Sequence, residues 1–321
     1  MYKYLTKNKL LLVLFIAISL FLAACGSDDN NNDTDNSSDN NSEEPSEQTV
    51  DSEMGEVTIP ANPENVLAPY HEDTLLALGI TPTAKWAIGE SVQDYLEEEL
   101  QDVETIEWTM PLEQVLSYEP DLIILENTLD SYEGSYEDYS AIAPTYVMSQ
   151  EETSDWQVQL KRFGELLGKE DEAEQAIADY EAKVEEANTQ LQDTLGEESV
   201  AFMWVVGGKY FLFEENRHTA KMIYSELGVK VPELVKDLGE TETNWDPISL
   251  EKLSEIEADH VVILGSEDDE GIETLNNSNV WQNTKAVQND QVYHFEDESN
   301  WTNNGIKAYE QTIDELINIF K

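Results

Sequence analysis

Two stretches of this chain repeat one unit. The first reads Trp108-Thr-Met-Pro-Leu-Glu113-Gln-Val-Leu-Ser-Tyr-Glu-Pro-Asp121-Leu-Ile-Ile-Leu125. The second reads Trp245-Asp-Pro-Ile-Ser-Leu-Glu251-Lys-Leu-Ser-Glu-Ile-Glu-Ala-Asp259-His-Val-Val-Ile-Leu264. In both, an aspartate follows the glutamate of a Leu-Glu pair by eight residues, and an apolar strand comes next. A helix leading into a buried strand implies a parallel sheet, because parallel neighbours are joined only through a crossover. Two such units imply two α/β halves.

The flanking pattern agrees. Val66-Leu67-Ala68 reads as a strand, Asp73 to Leu78 as a helix closed by Gly79, and Thr83 to Ala87 as a strand. Pro111 to Ser117 reads as a helix and Asp121 to Leu125 as a strand buried on both faces. Between the halves, residues 171–194 contain no glycine or proline. Ala173, Ala176, Ile177, Tyr180, Val184, Ala187 and Leu191 recur there at helical spacing, which predicts one long amphipathic helix ended by Gly196. Alternation then resumes with Val200–Val206, Thr219–Leu227, Leu250–Ile256 and Val261–Leu264. A helix from Ile306 to Phe320 closes the chain. The expected fold class is α/β: two Rossmann-like lobes, at 55–170 and 196–321, joined by one inter-lobe helix at 171–195.

The start of the chain has a different use. Lys3, Lys7 and Lys9 precede an apolar run from Leu10 to Leu22, followed by Ala23-Ala24-Cys25-Gly26. This is the layout of a secretory signal, and the run is shorter than the ~20 residues of a spanning helix. The Leu-Ala-Ala-Cys sequence resembles a bacterial lipobox. It implies a leader at 1–24 and lipidation of Cys25, the only cysteine, which leaves no intramolecular disulfide. Residues 25–54 then form an acidic linker, too polar from Gly26 to about Ser52 to repay the entropy of ordering. Folded structure is expected from about Gly55.

There are 69 acidic and 17 basic residues, for a net charge of −52. Such a chain repels nucleic acid and anionic headgroups. Only two of the basic residues are arginines, Arg162 and Arg217.

Taken in order, several segments resemble one family. They are Ala68 to Gly79 (APYHEDTLLALG), the two Leu-Glu…Asp units, the helix at 171–194, Asn216-Arg217-His218, and Tyr224 to Gly228 (YSELG). The chain from about residue 55 to its end is similar to the substrate-binding lipoproteins of ABC importers for iron–siderophore complexes and cobalamin. The resemblance implies a ligand cleft between the lobes, no cofactor, and a ferric siderophore as ligand, the hydroxamate type favoured. It also implies a monomer tethered to the extracytoplasmic face of the cell membrane, with an ABC permease dimer and its ATPase as partners. Glu113 and Glu251 are then the acids that dock into permease arginines. Each also has a local explanation, since a first-turn carboxylate gains ~0.3–1 kcal/mol from the helix dipole.

For the cleft, Arg217 is the leading candidate, because a planar guanidinium suits an oxygen-rich metal centre. The alternative is a salt bridge in an acid-rich protein, and that is the expected role of Arg162. Trp301 lies in a polar loop that faces the cleft in this family. Tyr70 and His71 begin the first strand-to-helix loop, which faces the same way. Trp86 and Trp204 lie in strands, where core packing is the default. Tyr210 and His218 complete the candidates.

Other readings compete, a purely structural surface adhesin among them. Cobalamin or haem would use the same fold. A lipoprotein for free zinc or manganese needs several imidazoles or carboxylates close together, and His71, His218, His260 and His294 are far apart in sequence. An enzyme is not indicated: the sequence has no Gly-x-Ser-x-Gly, phosphate loop or His-Glu-x-x-His.

Overall fold

The computed structural model describes residues 46–239 and 245–321. The leader, Cys25 and the first part of the acidic linker lie outside the described residues. No described helix is long and apolar enough to cross a membrane.

Order begins earlier than the polar composition implies. β1 (Glu47–Ser52) pairs antiparallel with β2 (Gly55–Pro60), Glu47 opposite Pro60 and Ser52 opposite Gly55. The expectation of a disordered linker up to residue 54 is therefore corrected for 47–54. The reason is alternation: Gln48, Val50 and Ser52 face the body. Val50 packs on the core, Gln48 Nε2 donates to the Leu166 carbonyl at 3.1 Å, and Val147 N donates to Ser52 Oγ at 3.3 Å. A polar strand orders when a partner supplies both ladder and face.

The first lobe runs β3 (Val66–Leu67), α1 (Glu72–Ala77), β4 (Lys85–Ile88), β5 (Glu90–Ser91), β6 (Thr105–Glu107), α2 (Leu112–Ser117), β7 (Leu122–Leu125) and β8 (Thr145–Val147). Its sheets are β3-β7-β8, all parallel, and β5-β4-β6. α3 (Trp156–Leu167) leads into α4 (Glu170–Leu195), the long helix predicted for 171–194. Ala173, Ile177, Tyr180, Ala187 and Leu191 are its buried stripe. The second lobe holds β9 (Val200–Val206), β10 (Lys209–Leu212), α5 (His218–Ser225), α6 (Leu250–Leu253), β11 (His260–Leu264) and β12 (Val292–Phe295). α7 (Ser299–Thr302) and α8 (Ile306–Ile319) close it. Its sheet has the order β10-β9-β11-β12, parallel except at the β9–β10 hairpin.

The repeated aspartates have a shared structural role. Asp121, entering β7, accepts hydrogen bonds from Glu64 N (2.8 Å) and Asn65 N (3.0 Å), just before β3. Asp259, entering β11, accepts from Ser199 N and Ser199 Oγ, both 2.9 Å, just before β9. In each lobe one carboxylate fixes the start of the neighbouring parallel strand.

The lobes share a core. One apolar cluster takes Leu75 and Tyr146 from the first lobe, Tyr180 and Leu191 from α4, and Phe202, Val262 and Leu316 from the second. A second cluster, around Ile106, Met110, Val115 and Tyr139, belongs to the first lobe alone. Across the junction, buried Asp73 of α1 accepts from Lys307 N (3.1 Å) and Ala308 N (3.0 Å), satisfying orphan donors in the first turn of α8. Tyr95 OH donates to the same carboxylate at 2.9 Å, and Tyr95 N donates to Ser299 Oγ at 2.9 Å.

Gly305 allows this approach, since a Cβ there would lie 2.3 Å from Asp73 Cγ. Gly305→Ala is expected to lower unfolding stability by about 1–3 kcal/mol through overpacking, measured as the urea midpoint. An unchanged midpoint would contradict the close contact.

Candidate ligand cleft

The first lobe builds its side of the site at the carboxyl ends of parallel strands, where open α/β sheets form crevices. After β3 the chain turns through Tyr70 into α1. Tyr70 has φ 71°, a left-handed conformation that costs a residue with a Cβ about 1–2 kcal/mol. Glu126 directly follows β7. The junction of the helix Gln150–Ser154 with α3 adds Asp155 and Trp156. From the second lobe come Asn216, Arg217 and His218 at the start of α5, then Lys221, Glu226, Trp245, Asn304 and Tyr309. Together with His71, Asp73 and Gln159 they line a cavity of about 700 Å³. Small-molecule sites span about 300–1,000 Å³.

Trp245 is the platform of the second wall. The Arg217 guanidinium carbon stands 4.1 Å from its ring centroid, a cation–π distance. The His218 ring stacks on it at 5.7 Å and 24°, and Phe213 meets it edge-on at 5.0 Å. Arg217 is 3% exposed and donates through Nε and Nη2 to the Glu214 carboxylate, with Nη2–Oε1 at 2.9 Å. The guanidinium is thus held over an aromatic face, with its charge compensated by Glu214. His218 itself has φ 43°, a second strained non-glycine residue at the cavity.

Both imidazoles are neutral near pH 7. Burial lowers His71 to about 4. Burial, and then the Arg217 charge, lowers His218 to about 4. Two buried ring nitrogens, His71 Nε2 and His218 Nδ1, have no hydrogen-bond partner among the described residues. The Tyr70 phenol is pushed up to about 12 by burial and then by Glu126.

Of the sequence candidates, Tyr70, His71, Arg217 and His218 meet at this cavity. Trp86 stands behind it, half-buried, its ring meeting Tyr70 edge-on at 5.1 Å. The expectation that Trp301 faces the cleft is corrected. Its indole is fully buried against Phe202 (5.6 Å) and Phe295 (5.3 Å), because α7 turns inward and Thr219 Oγ1 donates to its carbonyl. Trp204 packs on Trp245 at 5.4 Å, one layer behind the wall. Tyr210 is also off the wall, its hydroxyl donating to the Gly271 carbonyl at 3.0 Å. Arg162 makes the ion pairs expected of it, with Glu152 (2.8 Å) and Glu165 (2.7 Å). Glu113 and Glu251 are each the second residue of their helices, α2 and α6, and both are exposed.

Sequence reasoning missed Trp245, Glu126, Asp155, Trp156 and Tyr309 as wall residues. Trp245 had a signal: it opens the second repeat unit as Trp108 opens the first.

Fold and cavity together define a two-lobed solute-binding protein. The family model described as "Periplasmic binding protein" matches residues 66–298, and the chain belongs to that family. The family comprises solute-binding proteins, not enzymes. Among curated proteins, the chain is 24% identical over 295 residues to the iron(3+)-hydroxamate-binding protein YxeB of Bacillus subtilis, covering 89% of this chain and 88% of that one. It is 28% identical over 293 residues to the iron(3+)-hydroxamate-binding protein FhuD of the same organism, covering 88% and 89%. Among solved structures, the iron-uptake system-binding protein FeuA of Bacillus subtilis superposes with a TM-score of 0.70 at 20% identity, covering 85% of this chain and 100% of that one. The family resemblance read from the sequence is thus met, and so is the two-lobed fold with its long helix.

Behind Tyr70 and Trp86 lies a titrating group. Glu72 is fully buried, and its Oε1 accepts from Trp86 N at 2.6 Å while Oε2 has no hydrogen-bond partner among the described residues. Burial raises its carboxyl from 4.5 to about 7. A raised carboxyl favours the folded state fully below its unfolded value, and that contribution is lost as pH rises through about 7. Gln at this position stays neutral. The melting temperature of Glu72→Gln minus that of the parent is therefore expected to increase between about pH 5 and pH 8. A difference independent of pH would contradict the buried carboxyl.

Proposed function

We propose that this protein captures a ferric siderophore, of hydroxamate type, and delivers it to an ABC permease dimer driven by its ATPase. The observation that carries this reading is the cavity wall of Arg217 stacked on Trp245 opposite Tyr70, in a chain whose two curated relatives named above are hydroxamate binders. An iron trihydroxamate is a compact body with oxygens around the metal and apolar linkers between them. The guanidinium edge suits the oxygens, and the aromatic faces suit the linkers.

Delivery needs retention and docking. Lipidation at Cys25 supplies retention in this reading, since the chain from Cys25 onward, with 14 basic and 69 acidic residues and a net charge of −55, does not adhere to anionic headgroups. Tethering as a monomer at the extracytoplasmic face raises its effective concentration at the permease. Glu113 and Glu251, one exposed first-turn acid per lobe, are the docking charges. The repeated helix-to-strand unit supports treating them as an equivalent pair. Cobalamin or haem on the same fold, and capture of free zinc or manganese, are the competing readings.

Trp156 and Trp245 line the cavity, so ligand binding is expected to quench tryptophan fluorescence. Ferric hydroxamates should quench saturably, while haem, cobalamin, Zn²⁺ and Mn²⁺ should not. Glu113→Ala with Glu251→Ala should keep that titration unchanged and abolish cellular uptake. Quenching by bare Zn²⁺ or Mn²⁺ and by no ferric complex would refute the siderophore reading. Normal uptake by the double variant would refute the docking assignment.

A further inference from the structure

The cavity wall carries more acidic than basic side chains. Four carboxylates line it, Asp73, Glu126, Asp155 and Glu226, against two cations, Arg217 and Lys221. The Arg217 charge is already met by Glu214, and the two imidazoles are neutral. The carboxylates are not equivalent. Asp73 is occupied by α8, and Asp155 by the backbone N–H groups of Gln157 and Val158 at the start of α3. Glu226 accepts from Tyr180 OH at 2.9 Å.

Glu126 is different. Its side chain is 28% exposed, and its carboxylate accepts only a long 3.4 Å bond from Thr128 Oγ1 among the hydrogen bonds of the described residues. Beside it, His71 is 5% exposed, and its Nε2 lies 3.6 Å from Glu126 Oε1 with no hydrogen-bond partner among the described residues. A buried polar atom left unpaired costs about 1–3 kcal/mol. Glu126 is the accessible member of this pair, and the buried, neutral His71 ring leaves its charge uncompensated on the wall. Its complement is a positively charged N–H donor. An anion would meet repulsion from Glu126.

Resting on the siderophore reading above, we propose that the cleft selects its ferric complex by charge. It takes neutral and cationic complexes, seats a pendant ammonium against the Glu126 carboxylate, and excludes polyanionic ones. Burial holds the Glu126 carboxyl above its usual range, and an incoming ammonium relieves that by favouring the ionised form. The strongly acidic body acts in the same direction at longer range.

The test uses one iron core with and without the charge. Ferrioxamine B, a ferric trihydroxamate with a free ammonium, is compared with its N-acetyl derivative and with a trianionic ferric triscatecholate, by fluorescence quenching at low salt. The ammonium form is expected to bind about tenfold tighter than the acetylated form, the order of one charge-assisted hydrogen bond. The triscatecholate should bind weakest. Glu126→Gln should bring the first ratio close to one, and added NaCl should shrink it in the parent protein. Equal binding of the charged and acetylated forms, tighter binding of the triscatecholate, or an unchanged ratio in Glu126→Gln would overturn charge selection while leaving siderophore binding intact. Failure of all three complexes to bind would overturn both.

Discussion

The buried carboxylate of Asp73 is the contact on which the arrangement of this protein depends. It belongs to the first lobe, and its hydrogen-bond donors are the first-turn amides of α8 in the second lobe and the phenol of Tyr95. A carboxylate taken from water is tolerated only where such donors fill its lone pairs. The same residue lines the cavity, three positions after strained Tyr70. The joint between the lobes and the floor of the site are therefore one structure. With a continuous apolar core through α4 added, the site is held largely formed before any ligand arrives. Such preformed sites limit the conformational cost of binding.

The second organising device is the repeated unit. Its aspartate fixes the start of the neighbouring strand, which holds the register of each lobe's central parallel pair. Its glutamate is exposed on a short helix. One motif thus does internal work at one end and presents a charge at the other. The site then draws on the loops between these rigid parts.

The fold was legible in the sequence because its signals are local. The spacing of Ala173, Ile177, Tyr180 and Leu191 fixes a helix wherever the rest of the chain lies, and the eight-residue interval from Glu to Asp recurs without reference to tertiary contacts. Arg217 was legible as one of two arginines in an acid-rich chain. Trp301 was not, because the rings that bury it, Phe202 and Phe295, lie on strands far away or across a loop. β1 was hidden because its composition is polar and its order comes from pairing with β2 and from contacts to α3 and β8. Glu126 carries no mark that separates it from 68 other acids. What distinguishes it is position, after a strand end and beside an unpaired imidazole nitrogen, and that is a property of the folded chain alone.

The central claim is that the space between Tyr70 and Trp245 holds an iron chelate. Anomalous diffraction at the iron edge, from crystals grown with a ferric trihydroxamate, tests it most directly. One iron peak inside the cavity, flanked by the Trp245 platform and the Tyr70 loop, is the predicted result. Iron located elsewhere on the molecule, or no iron at saturating ligand, would contradict it.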